Sequence, residues 1–186
     1  MARVFLSVGS NRGDRVAYLR RAVARLRELP QVTFLDASRL YFTEPWERRP
    51  GDPGQDRKGW FYNCVIVVET TLDPLALLEH VQTIEALLGR VRTPAPPEDQ
   101  RYEPRTLDID ILLYGDRVIS GHDRLHVPHL LLHERAFVLR PLADLAPDLE
   151  HPVLYETVQE LLDRLEDEHA VMPADDLPAR WFESEG

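Results

Sequence analysis

Between Tyr102 and Gly115 the sequence reads YEPRTLDIDILLYG, a run with the composition of a buried strand that carries two aspartates, Asp108 and Asp110, one residue apart. Successive side chains on a strand point to opposite faces, so the two carboxylates share one face and Leu107, Ile109 and Ile111 the other. At a rise of ~3.3 Å per residue they stand roughly 7 Å apart. Ionised carboxylates do not enter an apolar strand without a partner that offsets their desolvation. Two partners fit. One is Mg²⁺, which takes oxygen ligands and shares them with substrate phosphates; the other is arginine, pairing with the aspartates on a solvated strand face. Arginines are at hand: Arg90 and Arg92 in GRVR, Arg105 three residues before Asp108, and Arg135 in VPHLLLHERAF, which also holds His129. The planar guanidinium fork suits phosphate oxygens, and several around paired carboxylates describe a site for a polyphosphate–metal complex.

The elements that must position these groups follow from periodicity and turn chemistry. ARVFLSVGS reads as a first strand closed by the GSNRGD turn. Asp14 caps a helix over 15–29, where Val16, Leu19, Val23 and Leu26 recur at helical spacing before Pro30. A strand is predicted over 32–42, then a long Gly/Pro-rich surface loop over 43–59, then the strand WFYNCVIVVETT. Pro74 after the cap Asp73 opens a helix that Gly89 ends. A second Pro-rich loop leads to the aspartate strand, followed by a hairpin-like YGDRVIS, a short amphipathic helix in ERAFVLRPLADLAP and another helix over 155–168. The order β-α-β-β-α-β predicts an α+β, ferredoxin-like βαββαβ sandwich with a mixed or antiparallel sheet and additional helices. No G-x-x-x-x-G-K-[ST] loop is present and GSNRGD lacks dinucleotide-fingerprint spacing, so a nucleotide site must be built from side chains.

Composition sets the outer bounds. The 186 residues, 44% hydrophobic and 29% charged, fit a single soluble domain over 1–165 and an acidic C-terminal tail over 166–186. The net charge of −10 is concentrated at the end: residues 150–186 hold eleven Asp/Glu and two Arg, leaving the body nearly neutral. A broad nucleic-acid surface is therefore not expected, but a local arginine cluster is compatible with this balance. No run approaches a membrane span. The lone Cys64, in an apolar strand, reads as a core residue and excludes a disulfide framework, with a cytoplasmic setting as the default expectation.

Five blocks, GSN after the first strand, FYNCVIVVET, HVQTIEALLGRVR, PRTLDIDILLYG and VPHLLLHERAFVLRPLADLAP, together resemble the 6-hydroxymethyl-7,8-dihydropterin pyrophosphokinases of folate biosynthesis, from about residue 3 to 150. The resemblance implies an ATP-dependent diphosphotransferase that moves pyrophosphate from ATP to the pterin hydroxymethyl group, releasing AMP, on a ferredoxin-like fold with two Mg²⁺ ions. It implies metal binding by Asp108 and Asp110, and catalytic phosphate contacts from Arg90 and Arg105, with Arg92 beside them. Gln82, Ile111, Arg124, His129 and Arg135 would surround ATP. Asn63 would read the polar edge of the pterin between Phe61 and Phe137, with Gly9 beneath and the loop residues Thr43 and Pro45 alongside. A flat bicycle with a donor–acceptor edge does call for two aromatic faces and an amide. The match to a monofunctional enzyme implies a monomer whose partners are ATP and the pterin.

The chain also departs from the family pattern. Glu103 stands where a Gly is frequent, Leu130 follows His129 where a Tyr is frequent, and loops 44–60 and 93–104 are longer than compact versions, in places expected to close over substrates. Residues 166–186 have no assigned counterpart, and their Trp181 and Phe182 would dock on the body, dock on another subunit or stay disordered. Two rival functions share the paired-Asp signal: a two-metal nucleotidyl transferase, attacking the α-phosphorus, and a non-catalytic nucleotide-sensing module.

Overall fold

A computed structural model describes residues 1–51, 57–90 and 105–183. At its centre β1 (Ala2–Ser10) runs antiparallel to β4 (Phe61–Thr70) on one side and β5 (Asp108–Tyr114) on the other. The far side of β4 is shared end to end by β2 (Val32–Ala37) and β3 (Tyr41–Thr43), and β6 (Val171–Pro173) pairs with β3. Every pairing among these strands is antiparallel. The order β5-β1-β4-β2, with α1 (Arg15–Arg27) and α2 (Pro74–Leu87) as crossovers, is the ferredoxin-like arrangement expected from the sequence.

Alternation along β1 divides the core. Val4, Leu6 and Val8 face α1 and α2, where Leu19, Val23, Leu26, Leu77 and Val81 are buried. Phe5 faces the other way, with Val65, Leu112 and Leu113, toward α3 (Ala136–Leu145) and α4 (Val158–Asp163). Three of these helices start on a side chain that satisfies their free N–H groups: Asp14 accepts from Ala17, Asp73 from Leu75 and Ala76, and Thr157 forms a capping box with Glu160, whereas α3 starts at Arg135 without such a cap. Cys64 is a core residue whose thiol is pushed up by burial. Among the described residues no helix is long and apolar enough to cross a membrane.

Three local expectations change. The strand predicted over 32–42 is two strands, because Ser38 turns inward: its hydroxyl accepts the Val65 N–H at 3.0 Å, a bond that breaks the ladder between β2 and β3. The expected hairpin after β5 reduces to a single bridge, Ile119 with Val127. The helix predicted over 155–168 is confined to Val158–Asp163, since its capping box fixes the start at Thr157. The charged segment 166–183 supplies β6 and a docked aromatic pair. Trp181 is fully buried, its indole N–H donating to the Ser38 carbonyl at 2.8 Å and its own carbonyl accepting from Arg20 Nε at 2.7 Å.

Candidate active site

Strand register brings the chemistry-bearing residues into rows. Gly9 is paired with Asn63 on one side and Asp108 on the other, and Ser7 stands between Val65 and Asp110. Thr43 pairs with Phe61, and its hydroxyl accepts from Asn63 Nδ2 at 2.6 Å. All lie on the α3 face of the sheet, at the end where α3 begins with Arg135 and Phe137 just before and inside its first turn. These residues line one chamber together with Arg90, Arg105, Glu44, Trp46 and Glu47. A Cβ on Gly9 would overlap the Asn63 side-chain oxygen, so only glycine allows the amide to lie over β1.

The carboxylates occupy one strand face, as alternation predicts, but their partners differ. Asp108 accepts from Arg90 Nη1 at 2.6 Å and from Arg105 Nη1 at 2.8 Å, so both its oxygens have arginine partners inside the chain. Of the two partners the sequence allows for the pair, arginine is the one Asp108 meets within the chain. The cause lies in α2. Its buried Glu85 accepts from the Ile109 N–H at 2.7 Å and pairs with Arg90, while Gly89, at φ +90°, turns the chain so that Arg90 comes back over β5. Asn11 fixes the second arginine: its side-chain oxygen accepts from the Arg105 N–H at 2.6 Å. Burial alone would lift the Asp108 carboxyl, but Arg90 and Arg105 outweigh it and hold it below the usual carboxylate range. Asp110 receives no hydrogen bond among the described residues; burial and the charges of Asp108 and Glu85 push it up, against Arg135 and Arg90.

A second cavity opens on the other side of Asp110. Gln82, Ile111, Arg124, His129 and Arg135 line it with Leu125, His126 and Leu131. Burial and then the Arg135 charge push His129 down to about 4. Its Nδ1 accepts from the Leu131 N–H at 3.2 Å, so the neutral ring carries its proton on Nε2. Asp110 and Arg135 belong to both cavities. The buried Arg135 Nε has no hydrogen-bond partner among the described residues, and the guanidinium lies 4.6 Å over the Trp46 ring.

Of the residues singled out in the sequence, all but two line one or both cavities. Pro45 sits between two chamber residues without lining it, and Arg92 lies outside the described residues. Glu85, Asn11 and Trp46 were not foreseen. Glu85 carries a weak signal, an acidic residue on the buried stripe of α2; Trp46, in an aperiodic loop, carries none. For a metal, the described residues hold no group of three or more His, Cys, Asp or Glu side chains. The protein offers Asp108 and Asp110, two hard oxygen donors on one face. That set fits Mg²⁺, an ion that usually keeps waters and takes further oxygens from substrate phosphates.

The profile of the 7,8-dihydro-6-hydroxymethylpterin-pyrophosphokinase (HPPK) family matches residues 5–147. The chain belongs to the HPPK family. It is 43% identical over 166 residues to the 2-amino-4-hydroxy-6-hydroxymethyldihydropteridine pyrophosphokinase of Methylorubrum extorquens, covering 89% of this chain and 95% of that one. With the pyrophosphokinase of the same name from Pseudomonas aeruginosa the identity is 42% over 150 residues, covering 81% and 84%. The crystal structure of wild-type HPPK-DHPS from Plasmodium falciparum superposes with a TM-score of 0.64 at 19% identity, covering 87% of this chain and 43% of that longer one. That likeness is one of fold. As an HPPK, the chain is an ATP-dependent pyrophosphokinase of folate biosynthesis, and the transferred group has ATP as its source.

Proposed function

We propose that the two cavities divide the HPPK reaction between them, the chamber at Gly9, Asn63, Phe61 and Phe137 taking 6-hydroxymethyl-7,8-dihydropterin and the cavity at Gln82, Arg124 and His129 taking ATP. The observation that carries this is the shared wall: Asp110 and Arg135 line both, so a group passing from nucleotide to pterin crosses them. In the chamber, the Asn63 amide supplies both a donor and an acceptor to the pterin edge, and Phe61 and Phe137 supply the two ring faces.

The step is displacement at the β-phosphorus. The hydroxymethyl oxygen forms a bond to that phosphorus, the bond from it to the oxygen bridging the α-phosphorus breaks, and AMP leaves with that oxygen. Arg90 and Arg105, already converged on Asp108, stabilise charge spreading over a phosphate chain laid across β5, and Arg135 serves the departing side. Neutral His129 presents its Nε2–H to an anionic oxygen without adding charge. Asp110, the carboxylate with no arginine bond, is the better placed of the pair to accept the hydroxyl proton. Mg²⁺ held by Asp108 and Asp110, two ions accompanying the nucleotide, would neutralise the phosphates. Positioning and electrostatics supply most of the catalysis. The enzyme acts as a monomer in the cytoplasm.

The decisive test is product analysis. Incubation with ATP, Mg²⁺ and hydroxymethyldihydropterin yields AMP and the pterin diphosphate in equal amounts. Release of pyrophosphate would instead indicate attack at the α-phosphorus, and binding without turnover would indicate a sensing module.

A further inference from the structure

Behind the pterin-side chamber, residues 167–170 grip two separate pieces of its wall. One is the start of α3: Asp167 Oδ2 accepts the Ala136 N–H at 2.8 Å, between Arg135 and Phe137. The other is the loop after β3, which carries Trp46 and Glu47. Its Glu44, buried, donates its N–H to the Ala170 carbonyl at 2.9 Å, takes the Ala170 N–H on Oε2 at 3.1 Å and takes the Gly51 N–H on Oε1 at 2.9 Å. His169 joins the two. Its Nδ1 lies 2.5 Å from Asp167 Oδ1, its Nε2 lies 2.7 Å from the Arg48 carbonyl, and its ring centroid is 6.2 Å from that of Trp46.

Both ring nitrogens thus face oxygens that only accept. A neutral imidazole has one N–H and serves one of them; the imidazolium serves both. Burial opposes that charge, but the Arg48 carbonyl, Asp167 and Glu44 together raise His169 above the ordinary histidine range. The other charged groups around this groove are Glu166 and Glu168 on the same segment, Arg164 after α4, and His133 and Glu134 on the turn before α3. Arg135, outside the groove lining, stacks over the Trp46 ring at 4.6 Å.

We propose that His169 is a positioning residue for pterin binding: bridging Asp167 and the Arg48 carbonyl, it latches the loop 44–51 to the start of α3 and so sets Trp46 and Phe137 across the chamber. The proposal rests on the assignment of that chamber to the pterin. His169 touches no reacting atom in this arrangement and does not line the chamber. Its effect falls on one substrate. The latch is complete below the raised pKa of His169 and loses one of its two bonds as pH rises through it.

The test is steady-state kinetics of wild type and His169→Gln from pH 6 to 9, with the pterin and ATP varied separately. At pH 6 to 7 the variant raises KM for the pterin roughly fivefold or more, the effect of one charge-assisted bond, and leaves kcat and KM for ATP within about twofold. The ratio of variant to wild-type pterin KM falls toward one as pH rises, because groups common to both proteins, Asp110 among them, cancel. In wild type, protection of the Gly51 and Ala170 amides against hydrogen exchange, corrected for intrinsic rate, falls over the same pH range, a readout that needs no variant. A ratio that stays flat with pH, kcat and both KM values changing together, or protection unaffected by pH would each overturn the latch. A wild-type enzyme that makes no pterin diphosphate would overturn the chamber assignment instead, and the exchange measurement would still decide whether the latch exists.

Discussion

Asp108 and Asp110 stand two residues apart on one strand face and meet opposite electrostatic surroundings. Asp108 lies between two guanidinium groups, one of them also paired with Glu85; Asp110 has only longer-range help, from Arg135 and Arg90. The pairing was legible in part. Period-two alternation fixed which side chains share a face, because sheet geometry allows no other reading of LDIDI. Arginine pairing was legible as one of two alternatives, but which arginines reach which aspartate was not, since that depends on Gly89 reversing the chain and on Glu85 facing β5, where a helical stripe would ordinarily be apolar. If Asp110 takes part in the chemistry, Asp110→Asn lowers kcat roughly 10²–10⁴-fold while far-UV circular dichroism stays that of wild type. Near-normal turnover at saturating Mg²⁺ would remove Asp110 from both its metal and its proton role.

At the scale of elements, the long helices and central strands were legible because caps, periodicity and burial agree along them. What failed to show was the role of short segments that gain their structure from contacts distant in sequence. β6 is three residues long and exists by pairing with β3, more than a hundred residues earlier. Trp181 sits in a stretch whose acidic neighbours give it the look of a solvated end, yet it is fully buried and packs edge-on to Phe182. Removing its side chain leaves a large cavity between α1 and β2, so Trp181→Ala costs about 3–5 kcal/mol. Trp181→Phe fills most of the space and loses the bond to the Ser38 carbonyl, costing about 1–3 kcal/mol for a buried acceptor left unmet. Urea unfolding of the two variants measures both, and a change within ~0.5 kcal/mol for the alanine variant would show that the aromatic docking carries no stability.

For the whole molecule, a site that collects like charges on one sheet face sets stability against function. The native fold keeps Asp110 beside Asp108 and Glu85, and its carboxyl is raised by burial and by those charges. Between its unfolded value of ~3.9 and its higher native value, the native state holds a proton that the unfolded chain has lost. Asp110 therefore makes the metal-free protein less stable as pH rises through that window. Asp108 has the opposite sign: its native value is depressed, so its contribution is full above the unfolded value and is lost only as pH falls toward the native one. The two isosteric variants should separate cleanly in thermal melts run in EDTA. Asp110→Asn melts at the same temperature as wild type near pH 4 and above it at pH 7 to 8, each 1 kcal/mol relieved being worth about 2–4 °C in a chain of this length. Asp108→Asn melts below wild type at neutral pH, because Arg90 and Arg105 lose their carboxylate, and the deficit shrinks in acid. Melts of the two variants displaced in the same direction at pH 7 would refute the asymmetry between the two aspartates. Opposite displacements, with activity lost in Asp110→Asn, would show that the fold accepts a less stable strand face to keep an ionisable carboxylate between its two cavities.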